Sequence, residues 1–256
     1  MGKIITVANE KGGVGKTILT VNLGAALSIR GQRVLVIDMD PQGNASYMLS
    51  KNISEENPSM YKVLVNKDEK ISAIIEHTST ENLDLAPSNL HLAGAEIQLI
   101  QEYGREFALK RSFTPEIMEQ YDYIFIDTAP SLSLLTVNSF VAADYVLIPV
   151  FSDFLSLVGL NLLFDTIKIS QENLGSKVEV LGLVITKYDS RENISEEAIN
   201  LLKINFGGLL YETMIRTNVR LKESPAKRQT IFQYDPVCVG ARNYLALANE
   251  FLNKIR

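Results

Sequence analysis

The sequence predicts an α/β protein: a doubly wound, mainly parallel sheet flanked by helices on both faces, with residues 1–256 in a single domain. Three observations lead there. Short apolar segments alternate with helix-length segments along all 256 residues. The apolar segments are hydrophobic at consecutive positions, as in VLVI at 34–37 and YVLIPV at 145–150, and strands covered on both faces read that way. A glycine-rich stretch, KGGVGKT at 11–17, separates the first apolar segment from the first helical one.

In chain order, the first strand is expected at IITVAN (4–9), followed by a helix over 16–30. Gly31 stands where a helix ends in a left-handed residue, two positions before the next strand. That strand is RVLVID (33–38). Residues 51–82 are more polar and weakly patterned, which suits short helices and loops at a sheet edge. Further strands are expected at LDLAP (83–87), DYIFID (122–127), DYVLIPV (144–150), VEVLGLVIT (178–186) and LLYETMI (209–215). Helical spacing marks 132–143, 156–173 and 194–205. No linker-like tract or internal repeat divides the chain.

Composition narrows the function classes. A chain that is 46% hydrophobic and 21% charged is ordinary globular material. No apolar run approaches the ~18 residues of a membrane span, and the chain enters its first strand without an apolar leader, so a cytoplasmic address is expected. Cys238 is the single cysteine, which excludes a disulfide framework and a cysteine-ligated zinc or iron–sulfur centre within one chain. It reads as a packing residue, and His77 and His91 lie away from the motifs. The net charge is −5, unevenly spread. Residues 1–180 carry 14 basic and 22 acidic side chains, whereas 181–256 carry 11 and 8. Arg216, Arg220, Lys222, Lys227 and Arg228 crowd one stretch against Glu223 alone, either a basic contact surface or a solvated face.

The chemistry is carried by KGGVGKT. A phosphate-binding loop reads G-x-x-x-x-G-K-[ST] between a strand and a helix. Here Glu10 occupies the leading glycine position and Lys11 adds a second lysine. Gly12, Gly13 and Gly15 let the backbone curl around an anion at a helix N-terminus. Lys16 is placed to bridge β- and γ-phosphate oxygens, and the Thr17 hydroxyl to ligate Mg²⁺. Hydrolysis also needs carboxylates, which in parallel sheets sit at the C-terminal ends of strands. Asp38 and Asp40 close RVLVIDMD, and Asp127 closes DYIFID, whereas DYVLIPV ends without one.

These motifs, with VNLGAAL, LAGAEIQL, YDYIFIDTAPSLSLLTVNSF, TNVRLKESPA and YDPVCVGARNYLALANEFL, make the sequence resemble the ParA/Soj family of chromosome- and plasmid-partitioning ATPases. The likeness spans nearly the whole chain. It implies ATP and Mg²⁺ as cofactors, held by Lys11, Gly12, Gly13, Val14, Gly15, Lys16, Thr17, Ile18 and Asn218. It implies that Thr17, Asp38 and Asp127 surround the metal. Lys16 and Asp40 would act on phosphate and water, while Lys11 reaches the ATP of a second subunit. The implied partners are a homodimer formed with ATP, non-specific double-stranded DNA contacted by Arg191 and Arg220, and a ParB-like protein that stimulates hydrolysis on the nucleoid. The alternative is a MinD-type membrane ATPase. Such proteins end in a basic amphipathic helix, whereas ALANEFLNKIR reads as a core-packing helix, and no membrane partner is expected. An N-terminal operator-binding domain is not expected either.

The chain departs from its relatives in places. Ala129 replaces a proline of the D-x-P-P segment, and PVFSDFLSLVG brings Asp153 and Val158 to positions of a glutamate-bearing dimer surface. Arg216 and Thr217 replace a proline and an arginine before NVRL. Where relatives read T-M-Y-D-S-R, this chain has Thr186-Lys187-Tyr188-Asp189. That wording is similar to the guanine-reading T-K-x-D of signal-recognition GTPases, but the surrounding motifs favour ATP.

Overall fold

The structure, a computed structural model, describes residues 2–52, 54–151, 155–189 and 193–255, with side chains except those of 155–158 and 193–196. The described strands form one sheet: β1 (Lys3–Val7), β2 (Val34–Met39), β3 (Glu76–His77), β4 (Leu83–Ala86), β5 (Tyr123–Thr128), β6 (Tyr145–Phe151) and β7 (Glu179–Thr186). Their order is β3-β4-β2-β5-β1-β6-β7. All neighbours run parallel except β3, which pairs antiparallel with β4 through Glu76–Leu85 and His77–Asp84. The chain therefore leaves β1 at the middle of the sheet, between β5 and β6, and in open α/β sheets ligands bind beyond such strand ends.

The strand side chains alternate between two cores, as period-two geometry requires. Leu35, Ile37, Ile124 and Ile126 face one core, and Val34, Val36, Phe125 and Ile5 face the other. The first is covered by α3 (Met60–Val65), α4 (Leu92–Leu99), α5 (Ala108–Ser112), α6 (Pro115–Gln120), α7 (Leu134–Ala142), α8 (Leu155–Leu174) and α9 (Asn193–Phe206). The second is covered by α1 (Lys16–Ile29), α2 (Asn44–Leu49), α10 (Val219–Ala226), α11 (Ile231–Tyr234) and α12 (Val239–Lys254). Phe251 of α12 packs against Phe125 and, edge-on, against Tyr123, so the apolar face of this helix is packed into the core. Gly31 has φ +80° and donates to Ser28 O, ending α1 as expected.

Two expectations need correction. Residues 209–215 are not a strand. They run beside β7 and make isolated bonds, Tyr211 N to Leu183 O at 2.8 Å and Ile215 N to Ile185 O at 2.9 Å. Between those points the Glu250 carboxylate of α12 accepts from Glu212 N at 2.7 Å and Thr213 N at 2.9 Å, so Thr213 N, the donor a continued ladder would need, is turned away from β7. The polar stretch 51–82 does form short helices and loops at the edge, but it also contributes β3. His77 there bonds Asp84 at 2.8 Å, and His91 stacks obliquely on Tyr61. Asp153 and Arg191 lie outside the described residues, as does the side chain of Val158.

Candidate phosphate-loop site

The loop after β1 is held from several sides. The Asn9 side chain donates to Pro149 O at the end of β6 (2.7 Å) and accepts from Lys11 N (2.9 Å). Gly13 and Gly15 adopt φ +71° and +91°, values that disfavour any side chain, and α1 starts directly after them. Two side chains at the C-terminal end of β7, on its last residue Thr186 and the next residue Lys187, grip the loop's carbonyls. Thr186 Oγ1 donates to Val14 O at 2.7 Å, and Lys187 Nζ donates to Gly13 O at 2.6 Å. The first-turn amides of α1 have no partner within the helix, so the loop presents donors and a positive helix end to an anion.

Lys16 is buried and donates to Asn9 O (2.8 Å) and Lys11 O (3.2 Å). Burial pushes its pKa down, opposed by the charges of Asp127 and Asp40. Asp38 and Asp127 are register partners on adjacent strands, both fully buried. Asp38 accepts from Ser46 N (2.8 Å), Ser46 Oγ (2.7 Å) and Asp40 N (3.1 Å). Its pKa is pushed up to about 6, chiefly by burial and against those hydrogen bonds. Asp127 accepts from Thr20 Oγ1 at 3.3 Å, yet its Oδ2 is buried without a hydrogen-bond partner. Burial first, then the Asp38 charge, hold Asp127 well above the usual carboxylate range, while the neighbouring Thr17 hydroxyl pulls the other way. Asp40 accepts from Gln42 N at 2.9 Å and so shapes the loop that follows β2.

An unsatisfied buried carboxylate oxygen beside a threonine hydroxyl and a buried lysine asks for a cation or a proton. Among the described residues no three histidine, cysteine or acidic groups converge on one point. A small divalent ion here would therefore draw most of its oxygens from ligand and water, as Mg²⁺ commonly does.

The loop opens on a cleft of about 460 Å³. Gly13, Gly15, Lys16, Thr17, Ile18 and Asp40 line one wall, and Lys187 with Ile215–Asn218 line the other. Asn218 caps α10, its Oδ1 accepting from Arg220 N at 2.8 Å. Lys11 is partly exposed at the front of the loop, with its Nζ 4.9 Å from the centroid of the Phe151 ring. Of the residues expected around the nucleotide, Gly13, Gly15, Lys16, Thr17, Ile18, Asp40 and Asn218 face this one cleft, with Asp38 and Asp127 buried beneath. The basic stretch divides. Arg220 is exposed but paired with Glu223 (2.9 Å) and Asp235 (3.4 Å), while Arg228 spends its guanidinium on Tyr47 O and Ser50 O. Sequence reading missed Asn9, Ser46 and the loop-gripping use of Thr186 and Lys187. Only the T-K-x-D wording marked the last pair, and it suggested a different use.

Comparison with known proteins agrees with this geometry. A family model described as an AAA domain matches residues 2–180. The chain is 44% identical over 250 residues to the sporulation initiation inhibitor protein Soj of Bacillus subtilis, covering 98% of each chain. It is 37% identical to the chromosome partitioning protein ParA of Caulobacter vibrioides, covering 99% of this chain and 95% of that one. Among solved structures, cobyrinic acid a,c-diamide synthase from Mycobacterium smegmatis, with bound ATP analog and magnesium, superposes with a TM-score of 0.82. It is 31% identical, with 99% of this chain and 95% of that one covered.

Proposed function

Because this chain belongs to the ParA/Soj family of partitioning ATPases, we propose that it binds ATP with Mg²⁺, pairs with a second copy, and hydrolyses ATP to ADP and phosphate. The observation that carries the reading is the orphaned Asp127 Oδ2 beneath a loop that presents Lys16 and Thr17. Thr17 and Asp127 would hold the cation, which supplies charge neutralisation on the phosphates. Asp38 is already engaged by Ser46 and Asp40 N, so it supports the loop more than it offers open oxygens. Lys16 would exchange its two backbone carbonyls for phosphate oxygens, recovering its lost hydration as charge-assisted bonds. Asp40, at the cleft wall, orients the attacking water. Lys11, at the outer rim, reaches the phosphates of the partner's nucleotide.

Dimerisation then doubles a weak basic surface at Arg220, with Arg191 as a second expected DNA contact, so ATP controls affinity for duplex DNA through avidity. A ParB-like partner speeds hydrolysis and releases the DNA, in the cytoplasm on the nucleoid. The α12 helix packs its apolar face into the core, and no described helix is long and apolar enough to cross a membrane. Sizing the protein with ADP and with ATP is the direct test. A dimer is expected with ATP and Mg²⁺ alone, and Lys11→Ala should bind ATP yet stay monomeric. An ATP-loaded Lys11→Ala protein that sized as a dimer would remove the cross-subunit role.

A further inference from the structure

We infer that Lys187 is a positioning residue for the phosphate loop: its ammonium group, bonded to Gly13 O, fixes the loop's outer rim and sets nucleotide affinity without entering the chemical step. The inference rests on the ATPase reading above and adds a residue to its machinery.

Four observations converge. Lys187 Nζ lies 2.6 Å from Gly13 O, across 174 residues of sequence, and 5.0 Å from the centroid of the Phe151 ring. Lys187 has φ +53°, a left-handed conformation that a long side chain adopts only under constraint. The constraint is visible in the segment beside it. Thr217 Oγ1 donates to Lys187 O at 3.0 Å, Tyr188 N donates to Ile215 O at 3.0 Å, and Thr217 N donates to Tyr188 O at 2.9 Å. This clamp turns the backbone so that the Lys187 side chain runs back to the loop and not out to solvent. Burial, then the Lys222 charge, push the Lys187 pKa down.

The division of labour between the two lysines follows. Lys16 grips the loop from inside through Asn9 O and Lys11 O, contacts it must surrender when phosphate arrives. Lys187 and Thr186 grip Gly13 O and Val14 O from the β7 side, and on this inference those bonds persist when phosphate binds. The cradle thus keeps its shape while Lys16 changes partners. The two positions involved, Lys187 and Thr217, are also ones at which this chain departs from the family wording, and they meet in one hydrogen bond. The T-K-x-D resemblance is thereby accounted for without guanine.

The test separates affinity from chemistry. ATP dissociation constants and single-turnover rates of saturated protein are measured for the parent, Lys187→Met and Lys187→Arg. Lys187→Met should bind ATP about tenfold more weakly, the loss expected for one hydrogen bond to a charged group. Its single-turnover rate should stay within about twofold of the parent, since no transition-state contact is removed. Lys187→Arg should recover most of the affinity. The affinity of the parent should also fall more steeply toward alkaline pH than that of Lys187→Met, which a merely structural residue would not produce. Unchanged ATP affinity in Lys187→Met, or a Lys187→Arg protein as weak as Lys187→Met, would overturn the inference. A parent protein that binds no ATP at all would instead overturn the ATPase reading.

Discussion

Lys16, Asp40 and Asp38 show how unequal three buried charged groups can be. Lys16→Ala removes the buried lysine of the phosphate loop that lines the cleft, and ATP affinity should fall roughly a hundredfold or more, as titration calorimetry would show. Asp40→Ala should keep ATP bound and cut hydrolysis by at least about a hundredfold, leaving a long-lived ATP dimer. Turnover at the parental rate in that variant would show that the water is oriented elsewhere. Asp38 gives a pH prediction with a definite sign. Its pKa is about 6 in the folded protein and about 3.9 in an unfolded chain. Folding therefore favours the protonated form, and the contribution is stabilising below about pH 4 and lost as pH rises through about 6. Without nucleotide or Mg²⁺, the melting temperature of Asp38→Asn relative to the parent should climb from pH 4 to pH 7. A difference that stays flat or shrinks would mean that Asp38 is not buried in the parent as a costly charge. At this scale the sequence was informative wherever a residue type is tied to a motif position, as with Lys16, Thr17 and Asp127. It was mute on Asn9 and Ser46, whose roles come from partners 140 and 8 residues away that only folding brings near.

Elements were legible where the pattern was long and the partner local. The strands other than β3 and the four longest expected helices follow from runs that are apolar on both faces or spaced at 3–4 residues. The failure at 209–215 has a different origin. LLYETMI carries strand-like composition, but Glu250, on a helix 37 and 38 residues away, binds two of its amides and takes that of Thr213 from the sheet. Gly182 shows the close approach of that segment to β7. A Cβ there would stand 2.5 Å from Leu209 O and 2.6 Å from the Tyr211 ring. Gly182→Ala should consequently destabilise the protein by about 1–3 kcal/mol in denaturant unfolding, the usual cost of overpacking. Because residues 215–218 line the nucleotide cleft, ATP affinity should weaken in the same variant. The two-residue strand β3 was invisible because EH has neither length nor apolar character, and its pairing depends on β4.

At the scale of the whole molecule, charge separation toward the C-terminal part was readable, but its local pairing was not. Arg220 shares its charge with Glu223 and Asp235, so under the proposed function any phosphate contact it makes must be drawn from an existing network. With ATP, binding to arbitrary duplex DNA should weaken steeply with salt, and Arg220→Glu should sharply reduce DNA retention while ATP dimers still form. Each lost phosphate contact should reduce the log–log salt slope by about 0.9. An ATP dimer with no salt-sensitive DNA affinity would remove the DNA reading.

The central place of β1 carries one more consequence, for how the protein is born. Residues 3–7 leave the ribosome well before their sheet neighbours, residues 123–127 and 145–147. The cover for α1 includes α12, more than two hundred residues further on. At roughly 5–20 residues per second, the nascent phosphate loop waits on the order of ten seconds or more for that cover. Throughout synthesis the most apolar helix of the site is thus a surface for chaperones, and a stalled chain would display it longest.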